Sequence, residues 1–469
     1  MKHLALALSF MATAAPAFAQ KVETKPERQD TLRIIITGEL DLDGVLRSHN
    51  ATAAGAGGDD HGSDVWTVEG DIRLRLDIEM QERIGAVLSL RTRRLTGGAG
   101  PVLAVDNAIA FRGADTNRLG ANPEETLVLV DEASVTFNEF IDPQMRLAAG
   151  IVPVVFDLRG RGEAFFFDPR RSGGFGKNAG ATVFGFADEL QPAGVHLTYV
   201  RDAFGAGLFA LPAIVEGGDP SGDESAYGFW FMFTPKLFAE GTRLGSFVAV
   251  DSFPGSETSV WTLGGGLDLH GIVDGLEIYA ESYMQFGRAG RNAAGDVLSV
   301  GGWALLVGAE YRIPDNERAI WFGLGFSWIT GDDDAADDKV GNFLSYENVN
   351  EMLVLEDRTY GLDLDTNYLS FKIKGGISFS VGSEAKNNLE LSLLVGFNRL
   401  VEELSVGGGA ASSNRIGHEV DLRAKLAATK QLAFETAVGI LFGADVLEDV
   451  FGAEGNSAAV WMFGTRLQF

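Results

Sequence analysis

The sequence predicts an all-β protein, a single transmembrane antiparallel β-barrel of about 18 strands behind a cleaved signal peptide. Three observations predict it. Apolar and polar residues alternate with a period of two through segment after segment, which is the side-chain spacing of a strand. No apolar run reaches the roughly 18 residues that a spanning helix needs. Finally, the connections between segments alternate between long and short. A chain without spanning helices crosses lipid only as a closed barrel, because only helices and barrels satisfy every backbone polar group there.

The elements follow in order. Residues 1–19 read as a secretory signal, with Lys2 as the positive start, an apolar or small stretch from Leu4 to Ala15, and Ala17-Phe18-Ala19 fitting the small-residue cleavage pattern. The barrel domain then spans 20–469. Strands are expected at 32–46, 65–79, 84–94, 126–137, 145–153, 193–200, 206–215, 226–234, 245–252, 259–269, 275–286, 302–312, 319–329, 366–379, 389–399, 417–427, 431–442 and 458–469. Connections after odd strands are the long ones, such as 95–125, 154–192 and 330–365. Those after even strands are short, such as 80–83, 201–205, 270–274 and 428–430. Only 253–258 breaks the rule. Outer-membrane barrels show this asymmetry, with long extracellular loops and short periplasmic turns.

Composition agrees. Sixty Gly, 32 Phe, 7 Trp and 8 Tyr suit turns, close strand packing and interfacial aromatic girdles. The mature chain has no Cys, so it owes nothing to disulfides. The net charge of −27 argues against nucleic acid as a partner. No cofactor is implied.

The last strand puts Trp461, Phe463, Thr465, Leu467 and Phe469 on one face, and Val460, Met462, Gly464, Arg466 and Gln468 on the other. A strand closing the chain on a terminal aromatic resembles the last strand of Gram-negative outer-membrane barrels. That resemblance implies recognition of the segment ending in Phe469 by the barrel-assembly machinery, with outer-membrane lipid and lipopolysaccharide as surroundings.

Four stretches resemble the alginate-export family of outer-membrane barrels. They are Glu132 to Phe137 with Met145 to Gly150, the arginine-rich Arg159 to Phe175, Thr330-Gly331-Asp332 opening a long acidic loop, and Gly417 to Leu422. Phosphate- and carboxylate-selective porins share the architecture and some of these patterns. The resemblance implies export of a polyuronate through an electropositive pore.

The lumen-facing residues are those off the apolar face. Arg73, Arg75, Asp77 and Glu79 on one strand meet Ser89, Arg91 and Arg93 on the next, crowding four arginines into one patch. Like charges side by side repel, so they are kept with acidic partners or an anionic guest. Arg159, Arg161, Arg170 and Arg171 sit in the loop at 154–192. Guanidinium forks suit carboxylates and phosphates. These eight arginines are the candidate solute-binding residues, and an arginine–carboxylate network stiffening the wall is the alternative.

The rest of the wall looks mixed. Glu277 and Glu281 flank Tyr279 and Tyr283, Glu39, Asp41 and Asp43 line the first strand, and Lys372, Lys374, Arg423 and Lys425 face Glu390, Glu419 and Asp421. Asp332, Asp333, Asp334, Asp337 and Asp338 form an acidic loop without the EF-hand pattern, so no metal site is assigned. The mature His residues are scattered, with no H-E-x-x-H and no G-x-S-x-G, so no enzyme is expected. The expected function is an outer-membrane channel passively conducting a hydrophilic, anionic solute, resembling polysaccharide exporters. A small-anion uptake porin and a plugged structural or adhesive barrel are the alternatives.

Overall fold

In a computed structural model, the described residues are 32–48, 65–94, 126–151, 193–214, 224–235, 241–253, 257–291, 295–313, 318–333, 337–343, 352–355, 366–381, 387–405, 412–449 and 456–469. The signal segment lies outside them.

The strands are β1 (Leu32–Ser48), β2 (Val65–Met80), β3 (Ile84–Arg94), β4 (Thr126–Asn138), β5 (Met145–Ile151), β6 (Ala193–Arg201), β7 (Phe204–Ile214), β8 (Glu224–Phe233), β9 (Arg243–Phe253), β10 (Thr258–His270), β11 (Leu276–Arg291), β12 (Val297–Val300), β13 (Trp303–Ile313), β14 (Arg318–Ile329), β15 (Lys339–Val340), β16 (Tyr368–Val381), β17 (Asn387–Leu400), β18 (Leu404–Ser405), β19 (Ser412–Ser413), β20 (Gly417–Ala427), β21 (Leu432–Phe442) and β22 (Ser457–Gln468). One sheet holds 20 of them. Removing the short β12 and β15 leaves the 18 strands of the barrel, each antiparallel to its neighbours. β22 returns to pair with β1 from Glu39↔Gln468 to Ser48↔Ala459, so the sheet closes. Closure leaves no edge with unpaired backbone groups, which is the condition for lying in lipid.

The outer face is apolar at a period of two. Leu32, Ile34 and Ile36 on β1, Phe322 and Leu324 on β14, Phe371 and Ile373 on β16, and Trp461 and Phe463 on β22 are all exposed. In water such a band drives aggregation, whereas in a bilayer it is the surface that meets acyl chains. The protein is an integral membrane β-barrel.

The ends differ as the connection lengths require. β2 turns into β3 through Gln81 and Glu82 at φ 54 and 58, and Arg83 N donates to Met80 O at 3.2 Å. Two left-handed residues in this three-residue loop, Gln81 to Arg83, match the right-handed twist of the strands. At the opposite end β11 extends to Arg291 and pairs with β12 above its contact with β13, and β12 in turn pairs in parallel with β15. The connection expected over 287–301 is thus partly sheet that rises beyond the spanning region.

The interior is not uniformly polar. Phe209, Leu211, Trp230, Phe247, Tyr283, Phe343, Met352 to Leu355, Tyr368, Leu441, Val460 and Met462 belong to one buried cluster. On β22 the buried Val460 and Met462 alternate with the exposed Trp461 and Phe463, so these buried residues point inward. Part of the space that the alternation marks as lumen is therefore a dry core toward the long-loop end.

Candidate functional site in the barrel lumen

The long loop after β14 folds inward, and Thr330 clamps its root. Its Oγ1 accepts from Trp303 N and donates to Gly341 O, both at 2.8 Å, and its carbonyl accepts from Phe343 N and Asn367 N at 3.2 Å. Farther along, Met352 to Leu355 form a turn with at most 2% exposure. This turn docks on the wall of β17, β20 and β21. Leu353 N donates to Asp421 Oδ2 at 3.1 Å, and Val354 N and Leu355 N donate to the two oxygens of Glu419 at 2.6 and 3.0 Å. Asn398 Nδ2 lies 3.2 Å from Met352 Sδ. Gly396 and Gly439 make the seat: a Cβ at Gly396 would fall on the Met352 side chain, and one at Gly439 would sit 2.9 Å from Leu353 Cβ.

Glu419 and Asp421 are fully buried. Burying a carboxylate costs several kcal/mol unless hydrogen bonds or a cation offset it. Three backbone N–H groups and Arg423, 3.7 Å from Asp421, supply that offset. The sequence sets Glu419 and Asp421 against Lys372, Lys374, Arg423 and Lys425, and of these Arg423 does lie beside Asp421. The structure also gives their oxygens to the loop, a partner that register alone does not reveal.

A second arc stays open to water. Arg75 Nη1 lies 2.7 Å from Glu132 Oε2 and its Nε lies 3.0 Å from Asp77 Oδ2, with Arg75 38% exposed and Glu132 18%. Ser134 Oγ donates to Glu132 Oε1 at 3.1 Å. Arg466 Nε sits 3.4 Å from Glu39 Oε1. On this inner face, away from lipid, partial exposure means that water reaches the groups from the lumen. β11 stands nine places from β2 in a ring of 18, so the two walls oppose each other. The β10–β13 wall buries Asp268, Glu277, Glu281 and Glu310.

Of the candidate arginines, Arg75 is held between two carboxylates, as the wall-network reading describes. Arg73 pairs in register with Arg91, and Arg93 with Asp71, so the backbone brings the patch together. The side chains of Arg73, Arg91 and Arg93 lie outside the described residues, as do Arg159, Arg161, Arg170 and Arg171 entirely.

In the acidic loop, Asp332 Oδ1 accepts from Gly341 N at 3.1 Å and Asp337 Oδ1 from Lys339 N at 2.7 Å. Burial pushes the Asp332 carboxyl up, with Asp337 and Asp333 adding to the rise while the Gly341 N–H and Lys339 oppose it. A raised value means that the docked loop holds its proton more tightly than the detached loop. Docking is therefore favoured fully below the ordinary aspartate value of about 3.9 and weakens as pH rises through the raised one. We expect the Gly341 amide resonance to titrate over that interval and Asp332→Asn to flatten it. A parent resonance that does not move with pH contradicts the linkage.

No family model and no curated protein matches the chain. Among solved structures the chain is similar to OccK9 (OpdG) of Pseudomonas aeruginosa, with 10% identity, 93% of this chain and 98% of that chain covered and a TM-score of 0.48. It is also similar to OccAB1 of Acinetobacter baumannii, with 10% identity, 92% and 96% covered and a TM-score of 0.48. A third is OccK11 (OpdR) of P. aeruginosa, with 10% identity, 92% and 96% covered and a TM-score of 0.47.

Proposed function

We propose that the barrel is an outer-membrane channel that passively conducts a hydrophilic, anionic solute along its arginine-bearing wall. One observation carries this reading. The arc from β22 through β1 and β2 to β4 presents water-reached charges, Arg466, Glu39, Arg75, Asp77 and Glu132, on the face turned from lipid. A barrel that only decorated the surface has no use for a hydrated charged lane beside a dry core. Low-dielectric walls focus the field of a few charges. The five charges alone, two arginines and three carboxylates, sum to −1. The anion preference is therefore carried by Arg73, Arg91 and Arg93, which the β2–β3 pairing adds to the same patch. Within this reading we place small carboxylated or phosphorylated solutes ahead of a uronate polymer, because the inward loop and the core narrow the bore. The role is transport, with no catalytic residue assigned, and the segment ending in Phe469 is the part that the assembly machinery reads.

The test is current through the refolded barrel in a planar bilayer, with a salt gradient to read selectivity. The parent is expected to prefer anions. The quadruple variant R73Q/R75Q/R91Q/R93Q is expected to move the reversal potential toward cation preference, since it leaves Asp77 and Glu132 without those partners. Unchanged anion preference makes the arginines scaffolding, and a silent parent moves the protein to the plugged structural class.

A further inference from the structure

The hairpin of β10 and β11 carries a group of side chains that conduction does not use. Asp268 and His270 lie two residues apart on one face of β10, and Glu277 stands directly opposite His270 on β11. One donor atom from each lies within 4.8 Å of the others. Asp268 is fully buried, Glu277 is 3% exposed and His270 is partly open. The group sits at the short-turn end of the barrel, which is the periplasmic mouth.

We propose that Asp268, His270 and Glu277 bind a divalent transition-metal ion of the Zn2+ type. The donor set is one imidazole and two carboxylates, the mixture that suits such ions. Its spacing is the first argument. Three donor atoms each about 2.0–2.2 Å from a shared centre lie within about 4.4 Å of one another. The observed group therefore closes on an ion with only a small movement of side chains. Charge is the second argument. Two carboxylates at this separation repel in a water-poor wall, and the imidazole offsets one charge at most. Glu310, across from Glu277 in register, is already taken by Arg312, which reaches it through Nε and Nη2 at 2.8 Å. Arg243 stands across from Asp268 in register on β9.

His270 is also held in place. Its N–H donates to Thr242 Oγ1 at 3.4 Å, and its carbonyl accepts from the same hydroxyl at 3.5 Å. Gly241, at φ +98, lies beside the ring, where a Cβ would make ordinary van der Waals contact. His270 Nε2 meets Asp268 Oδ2 at 2.8 Å. An ion bound at Nε2 takes the place of that contact, and the neutral ring then carries its proton on Nδ1. The open side of His270 leaves room for water as the remaining ligand.

The test is titration of the refolded, detergent-held barrel with Co2+, read by its visible absorption bands, and with Zn2+ alone by calorimetry. Wild type is expected to bind one ion of each with saturation. H270Q keeps a hydrogen-bonding side chain at the mouth, and E277Q keeps the volume. Each is expected to weaken Zn2+ by more than about tenfold and to change the Co2+ bands, while the folded band in unheated gel electrophoresis persists. If one variant does not refold, the other decides. Absence of saturable binding in wild type overturns the site. So does binding that survives both substitutions, since it then belongs elsewhere, such as the acidic loop of Asp332 to Asp338.

Discussion

The barrel carrying E419A and D421A together is expected to pass clearly more current per channel than the parent, with a noisier open level. The reason is the balance that holds the Met352–Leu355 turn in the lumen. Three backbone N–H groups donate to these two carboxylates. A hydrogen bond to a charged acceptor is worth about 1.5–3 kcal/mol, and a buried donor left without one costs about 1–3 kcal/mol. Burial of the apolar side chains adds about 1.5–3 kcal/mol each. Against this stands the ordering of a long loop, at about 1–2 kcal/mol of backbone entropy per residue. Ordering opposes docking at every residue of the loop, so losing all three acceptors tips the turn out of its seat. E419Q/D421N keeps a neutral acceptor for each carboxylate and is expected to fall between parent and double alanine. The converse lock uses Leu353→Cys with Gly439→Cys. A Cβ at 439 would lie 2.9 Å from Cβ of 353, so the turn must back off by about 1 Å to reach the roughly 3.5–4.5 Å that a disulfide bridges. The chain has no cysteine of its own, so the cross-link is unambiguous. The oxidised form is expected to hold the small conductance and the reduced form to release it. If the double alanine conducts like the parent, the turn does not lie in the conducting path.

G38L is expected to lower both the yield of assembled barrel and its unfolding temperature. Gly38 and Phe469 face each other where the sheet closes, exchanging backbone hydrogen bonds at 2.8 and 2.9 Å. The terminal ring lies over Gly38, and any Cβ there would occupy the position of the ring. This glycine is needed for space rather than for backbone freedom. A leucine expels the ring and disturbs the last rung of the closing pair. Ring packing is worth about 0.5–1.5 kcal/mol and each of the two closing hydrogen bonds about 1 kcal/mol, so the loss is about 2.5–3.5 kcal/mol. F469A is expected to cost a similar amount, and the double variant little more than either, because both remove one contact. Fully additive losses would show that the ring contributes elsewhere. The neighbouring Gln468 Nε2, which donates to Glu39 Oε2 at 3.0 Å across the same seam, is the internal control.

The strands were legible because lipid imposes a strict period of two. β3 and β20 match the expected 84–94 and 417–427 at both ends, and the other barrel strands shift by a few residues. The largest shift is in β11, which runs to Arg291 because sheet pairing continues above the lipid, where the apolar signal stops. Irregular backbone was harder to read. Asp131 is an extra residue between Ser89↔Glu132 and Leu90↔Val130, and nothing in Val130-Asp131-Glu132 announces it. The turn at Gln81-Glu82 lacks the Asn or Gly that usually signals two left-handed residues. In the lumen, the arginine pairing of β2 and β3 followed from alternation alone, and Arg75 with Asp77 and Glu132 gives it side-chain content. The docked turn did not follow. Met352-Leu353-Val354-Leu355 reads as a short apolar run inside an acidic loop, and its carboxylate partners lie more than 60 residues away. Small residues at Gly396, Ala437 and Gly439 were the available signal, marking a wall against which something packs.

The dry cluster running from Phe209 and Phe247 through the inward turn to Met462 has a thermodynamic consequence. A hollow barrel exchanges lipid contacts for detergent contacts on unfolding and gains little heat capacity. Here unfolding also wets an enclosed apolar mass, so the heat capacity increment resembles that of a water-soluble globule. Its stability curve against temperature is accordingly strongly domed.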